Sequence, residues 1–253
     1  MIRWTVVLAL LWGAALGQSG LDVQQIIAQA YSPPDGDDGE ATGQLVLTSA
    51  SGQVRSLILQ GQRRDFGGGE ERFLVRVIAP EEESGTSFLL IQVPERDDDR
   101  FLFLPGLGVR QIAARDADSS FFGSDFTYND FADRDPAEAT HALLRAEVIA
   151  GIEHYVVESI PRDPEGPTSR RLGWVRATDF LIAREEFYDR QGQLARVVTA
   201  AEIQVIDGIP TAIWRVAENV QTGTRSEITW SDVRYNLGLP ATLFTLESLE
   251  AGQ

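Results

Sequence analysis

The chain has 253 residues, 43% hydrophobic and 24% charged, with 38 acidic against 22 basic side chains and a formal net charge of -16. The sequence contains no lysine and no cysteine. That excludes a P-loop lysine, a Schiff base to pyridoxal phosphate, a Ser-Lys dyad, thiolate nucleophiles, thiolate metal sites, disulfides and lipid attachment through a cysteine. The apolar content suits a sizeable β-rich core, and an acidic chain without a basic block offers no surface for a nucleic acid.

Residues 1–17 read as a signal peptide: Arg3, an apolar run over 4–16 and the small-residue site Ala15-Leu16-Gly17. The run is shorter than the ~20 residues a spanning helix needs. Cleavage is expected after Gly17, leaving a single exported domain over 18–253, with the periplasm as its expected location. Asp22 with Gln25 forms a capping-box pattern, and Val23, Ile26, Ile27 and Ala30 follow at helical spacing, so a short amphipathic helix is expected over 22–31, ended by Pro33 and Pro34. Residues 35–43 read as an acidic loop whose Asp35, Asp37, Asp38 and Glu40 miss the calcium-loop pattern.

From Gln44 the period becomes two. Strands are expected over 44–49, 54–60, 72–78, 87–93 and 100–104, then over 143–149, 154–160, 170–176, 183–188, 194–205, 211–220 and 227–235. Ser51-Gly52, Gln191-Gly192, Asp207-Gly208 and Thr222-Gly223 supply hairpin turns. Many strands, one early helix and no βαβ rhythm imply a mainly β protein: a large antiparallel sheet, curved into a barrel or folded as a sandwich. No repeat or domain linker interrupts it.

Little in the sequence carries catalytic chemistry. His141 and His154 are the only histidines, in no metal-ligand spacing and beside no G-x-S-x-G elbow. Asp97-Asp98-Asp99 reads as a solvated hairpin tip, and Gly106-Leu107-Gly108 as a turn rather than a dinucleotide loop. No enzyme activity, metal or cofactor is expected, although 38 acids leave room for a chance carboxylate pair of the glycosidase type. The unusual stretch runs from Phe101 to Phe131, where Phe101, Phe103, Phe121, Phe122, Phe126, Tyr128 and Phe131 place seven aromatics in 31 residues. Polar residues and Gly123 interrupt its second half, so it reads as a loop or short helical piece. It either plugs the core or lines and gates a hydrophobic cavity.

In this region the sequence resembles a known family. Phe101-Leu-Phe-Leu-Pro105, Val109-Arg-Gln-Ile112 and Ser120-Phe-Phe-Gly-Ser-Asp-Phe-Thr-Tyr-Asn-Asp-Phe131 are similar to the signature region of the LolA-like outer-membrane lipoprotein-sorting family. Leu172-Gly-Trp-Val175, Arg184-Glu-Glu-Phe-Tyr-Asp189, Ile206-Asp-Gly208, Glu218-Asn219 and residues 230–240 resemble its later hairpins. Arg176-Ala177, Ile182-Ala183 and the Phe101/Phe103 pair depart from its usual pattern. The resemblance implies a curved antiparallel sheet forming a half-open β-barrel with helices and loops as lid, and a periplasmic carrier of lipoprotein acyl chains or another lipid. It also implies an inner-membrane transporter and an outer-membrane acceptor as partners. The candidate lipid-binding wall is Phe88, Leu90, Phe101, Phe103, Trp174 and Trp214, with Phe121, Phe122, Phe126 and Tyr128 as lid or rim; strand parity is open, because one bulge reverses it. Two further readings compete: an accessory subunit of an envelope lipid exporter with no cargo cavity of its own, and a hydrolase using paired carboxylates.

Overall fold

A computed structural model describes residues 21–251; the expected signal peptide lies outside the described residues. Helix α1 (Val23–Tyr31) starts at Asp22, whose carboxylate accepts the Gln24 amide, while the Gln25 side chain accepts the Asp22 amide. This reciprocal cap satisfies donors that would otherwise have no partner. Thirteen strands follow: β1 (Asp38–Thr48), β2 (Val54–Gly67), β3 (Glu70–Ala79), β4 (Ser87–Gln92), β5 (Asp99–Leu104), β6 (Gly108–Ile112), β7 (Ala139–Ile149), β8 (Ile152–Pro161), β9 (Arg170–Arg176), β10 (Ile182–Tyr188), β11 (Leu194–Ile206), β12 (Ile209–Asn219) and β13 (Thr224–Tyr235). A 3-10 turn (Ala241–Phe244) and helix α2 (Leu246–Ala251) complete the described chain.

All thirteen strands form one antiparallel sheet in the order β6-β5-β4-β3-β2-β1-β13-β12-β11-β10-β9-β8-β7. Every neighbour is a sequence neighbour except β1 with β13, which joins the two halves of the chain. The hairpin at Asp207-Gly208 has positive φ at both residues, 52° and 85°, as a type I′ turn requires.

Three expectations change. Residues 38–43 are strand rather than loop, because the Asp38 carboxylate accepts the Leu237 and Leu239 amides at 2.6 and 2.7 Å and fastens the start of β1 beside the end of β13. Gly108–Ile112 is a strand, paired along its length with β5. Strands β2 and β7 are longer than apolar alternation implies, since their polar ends still pair with β3 and β8.

The sheet is strongly curved. Seven strand steps separate β4 from β10, about 34 Å on a flat sheet at ~4.8 Å per step. Yet ring contacts of 6.1 Å or less run from Phe88 on β4 through Phe121 and Phe131 to Phe126, and Phe126 shares a cleft wall with Phe187 on β10. The concave face carries Leu45, Leu57, Leu59, Val75, Phe88, Leu90, Phe187, Val198, Ala217 and Ile228, all buried in one cluster. Helix α1 covers the β8–β9 part of that face through Ile26, Ile27, Ala30 and Tyr31 against Tyr155, Val157 and Val175. The C-terminal segment covers the convex face of β3–β5, with Phe244 and Leu249 on Leu74 and Leu89.

On the concave face the Trp230 ring lies over Gly43 and Gly61. A Cβ at Gly43 would stand 2.7 Å from the ring, and one at Gly61 3.2 Å. Gly43→Ala is therefore expected to lower unfolding free energy by about 1–3 kcal/mol, as overpacking does, and Gly61→Ala by less. Urea denaturation of both variants checks this; negligible and equal losses would contradict the seat of Trp230.

Candidate functional site

Strands β6 and β7 are the two edges of the sheet and are consecutive in sequence. Residues 113–138 join them by crossing the concave face. Their core is a self-bonded loop: Ser120 bridges Thr127, the Phe121 amide donates to the Phe126 carbonyl at 2.8 Å, and the Ser124 hydroxyl donates to the Phe121 carbonyl at 2.6 Å. Phe122 and Gly123 both take positive φ, 50° and 80°, the tight reversal that lets Phe121 and Phe126 enter the sheet from the same loop. A non-glycine residue there carries backbone strain, about 1–3 kcal/mol, offset by the burial it permits.

Phe121 and Phe126 are completely buried and Tyr128 nearly so. Phe121 lies 4.3 Å from Phe131 and 5.7 Å edge-on from Phe88, while Phe73 and Phe131 stack at 5.7 Å. Such pairs add about 0.5–1.5 kcal/mol each beyond area burial. The crossing segment thus fills the concave face with its own rings.

Polar latches hold it there. The Asp125 carboxylate accepts the Ser226 hydroxyl of β13 at 2.7 Å, and that hydroxyl oxygen accepts the Asp125 amide at 2.9 Å. Asp130 pairs with Arg196 of β11, and Arg134 is bidentate to Glu185 of β10 at 2.5 and 3.0 Å. Toward the other edge, Asn129 accepts from Arg100 at 2.9 Å, and the Asp133 amide donates to Gln92 at 2.9 Å. Burial alone would raise the carboxyl groups of Asp130 and Glu185, but Arg196 and Arg134 hold both below their ordinary range.

Of the residues singled out from the sequence, Phe88, Leu90, Phe121, Phe126 and Tyr128 meet in one cluster, with Phe122 packed at its margin. Phe101, Phe103, Trp174 and Trp214 do not join them. Phe101 pairs with Leu89, whereas Phe88 pairs with Leu102, so Phe101 and Phe103 face the convex side and pack with the C-terminal segment. Trp174 donates to Glu147 at 2.5 Å and Trp214 to Glu227 at 3.0 Å. Their strand registers set them opposite in parity to Val175 and Ala217, hence on the convex face.

The latch residues Asp125, Asp130, Arg134, Glu185 and Arg196 belong to no sequence motif of their own. One signal existed: Arg196 and Glu185 share inward parity with Val198 and Phe187, so each is a charge placed where the strand pattern demands an apolar side chain. Both histidines are used structurally, His141 between Ser159 and the Pro136 carbonyl and His154 on the Ile152 carbonyl. The hairpin-tip acids are also engaged, Asp98 with Arg100 and Asp99 with Arg96.

Beside the crossing segment a cleft of about 370 Å³ opens between α1, the segment and the sheet, walled by Tyr31, Phe73, Phe131, Val198, Ala200 and Trp230. Its charged lining is Asp35, Arg63, Glu71, Asp130, Asp133, Arg134, Glu185 and Arg215. At one end Arg63 lies 2.8 Å from Asp35 and 3.2 Å from Glu71. Burial there outweighs the attraction of Arg63 and pushes the Glu71 carboxyl up to about 7 and that of Asp35 to about 6.

These features define a class: an open, curved antiparallel sheet whose concave face is covered by a connecting segment and a helix, the LolA-like fold of lipoprotein-sorting proteins. A family model described as uncharacterized-protein-like matches residues 69–251, and the chain belongs to that family. Among solved structures it resembles a DUF1329 family protein from Desulfovibrio piger, at 26% identity over 88% of this chain and 96% of that one, with a TM-score of 0.82. It is also similar to an outer-membrane lipoprotein-sorting protein domain from Vibrio parahaemolyticus (28% identity, 88% and 97% covered, TM-score 0.82). A LolA superfamily protein from Nitrosomonas europaea shares the fold at 19% identity (89% and 98% covered, TM-score 0.66). No curated protein matches the sequence.

The raised carboxyls have a measurable consequence. Because the folded pKa of Glu71, about 7, exceeds its ordinary value of 4.5, its contribution to stability is full below about 4.5 and is lost as pH rises through 7. Glu71→Gln, which mimics the protonated form, is expected to raise the melting temperature relative to the parent at pH 8 and to leave it little changed at pH 4. A difference between variant and parent that stays flat across that range would contradict the placement of Glu71.

Proposed function

We propose that this protein is a periplasmic carrier that shelters acyl chains of lipoproteins, or of another lipid, on its concave face and passes them toward the outer membrane. The binding surface includes Phe88 and Leu90 on the floor of the sheet, with Phe121, Phe122, Phe126 and Tyr128 as its lid and rim; Phe101, Phe103, Trp174 and Trp214, on the other face, stand outside it. One observation carries the reading: the apolar floor of the sheet is covered by a connecting segment, docked through polar latches, rather than by a strand or a long helix.

A carrier faces an energetic difficulty that this arrangement addresses. Exposing a sixteen-carbon chain to water costs on the order of 12 kcal/mol, at ~0.8 kcal/mol per methylene, so the cargo must stay covered in transit. An empty apolar trough of equal capacity would be as unfavourable in water. Here the empty state covers the floor with the protein's own rings, and loading exchanges one apolar cover for another. The net binding energy is then a small difference, which permits release as well as capture. The similarity to a lipoprotein-sorting protein domain supports the same reading.

A second reading, an accessory subunit of an envelope lipid exporter without cargo of its own, draws support from β7. This edge strand leaves its backbone free on one side and exposes Leu144, Val148 and Ile149, as a strand that pairs with a partner would.

The chain has no cysteine of its own, so a disulfide can test the exchange. In Asp125→Cys/Ser226→Cys the crossing segment would be tied to β13. The carrier reading predicts that the oxidised variant takes up no fluorescent fatty acid and that reduction restores uptake to the parental level. Equal uptake in both states would contradict the proposal; no uptake by the parent itself would favour the accessory reading.

A further inference from the structure

Charge on the concave face does not balance pair by pair. Arg134 and Arg196 are matched by Glu185 and Asp130, whose oxygens are taken up by those bidentate contacts and, for Asp130, by the Thr127 amide at 2.8 Å. Two further guanidinium groups lie within electrostatic range of the same carboxylates, and among the described residues neither has a carboxylate within ion-pair distance. Arg215 on β12 makes a single hydrogen bond among the described residues, a long one of 3.3 Å to the Asp130 carbonyl. The Arg171 side chain on β9 has no hydrogen-bond partner among the described residues, its Nε is buried without an acceptor, and the carboxylates that act on it from a distance are Glu185 and Glu138. Burial disfavours the charged form of both. A desolvated cation left without a counter-ion is unfavourable, and proteins normally pair or discharge it.

Arg215 lines the 370 Å³ cleft, beside the apolar side chains of Val198, Ala200, Phe131 and Trp230, and its guanidinium lies 5.8 Å from the ring centre of Phe126. Of the arginines that line this cleft, Arg63 is engaged by Asp35 and Glu71 and Arg134 by Glu185, which leaves Arg215 as the one without a carboxylate in ion-pair distance among the described residues. A guanidinium is also suited to a planar carboxylate or a phosphate, which it grips with two parallel hydrogen bonds. We propose that the Arg215 end of this cleft is an anion-binding subsite. It takes the carboxylate or phosphate headgroup of an amphiphile whose acyl chain lies on the adjoining apolar face. This rests on the carrier reading and names the chemistry of the cargo's polar end.

Calorimetry with four probes tests it: palmitate, palmitoyl lysophosphatidate, uncharged monopalmitoylglycerol and inorganic phosphate, each titrated into the parent protein, Arg215→Gln and Arg215→Lys. The parent is expected to bind one or both anionic amphiphiles about tenfold more tightly than the monoglyceride, the scale of one charge-assisted hydrogen-bonded contact. The stronger of the two identifies carboxylate or phosphate. In Arg215→Gln the preference is expected to fall to about twofold or less, with Arg215→Lys between. If the parent binds monopalmitoylglycerol as tightly as the anions, the subsite is overturned while the carrier reading stands. If no acyl probe binds, both fall. A preference that survives in Arg215→Gln, or inorganic phosphate binding as tightly as lysophosphatidate, would likewise overturn the headgroup assignment. Arg215→Lys gives the answer should Arg215→Gln fail to fold.

Discussion

The two edges of the sheet are neighbours in the chain, so the polypeptide has to cross the concave face to get from one to the other. Everything particular to this molecule follows from that topological constraint. A sheet built of consecutive hairpins, with its first and last strands paired, opens only between β6 and β7. The connection of residues 113–138 therefore lies over the one apolar surface that neither α1 nor the C-terminal segment covers. A long connection over a core has to satisfy its own backbone and still bury apolar area. The loop around Phe121 does both.

The division of labour within the crossing segment has energetic meaning. Its rings supply non-directional cover, which hydrocarbon can replace at little net change. Its polar contacts are directional and distributed over β4, β5, β10, β11 and β13. An ion pair such as Arg134–Glu185 adds little net stability when intact, yet breaking a buried pair by removing one partner costs about 3–5 kcal/mol. Latches of this kind fix where the segment sits more than how tightly it is held. Arg215, which has no carboxylate within ion-pair distance among the described residues, sits beside them where the latches meet the apolar wall of the cleft.

Much of the fold could be read from the sequence, because alternation, hairpin turns and the Asp22–Gln25 cap are local signals. What escaped was either unpatterned or non-local. Strand β6 is short and carries exposed Arg110 and Gln111, so it has no apolar period to detect. The density of aromatics between Phe101 and Phe131 is real, but Phe101 and Phe103 face one side of the sheet and Phe121 and Phe126 cover the other, and composition does not carry direction. Parity is also broken by irregularities between Glu40 and Thr42, Leu143 and Arg145, and Phe187 and Tyr188. The latches join residues 51 and 66 positions apart, beyond any spacing rule. They announce themselves only as charges at inward-facing positions.

The central claim is that residues 113–138 form a cover that comes away while the sheet stays folded. Native-state hydrogen exchange of the lipid-free protein addresses it directly, since local opening and global unfolding are separated by their free energies and denaturant dependence. The account predicts that the amides of Phe121, Ser124, Tyr128 and Asp130 exchange through an opening well below the global unfolding free energy, with little dependence on urea, while those of β1, β2 and β13 exchange only on global unfolding. If the amides of the crossing segment exchange only when the whole sheet unfolds, the segment is a fixed part of the core, and the account is contradicted.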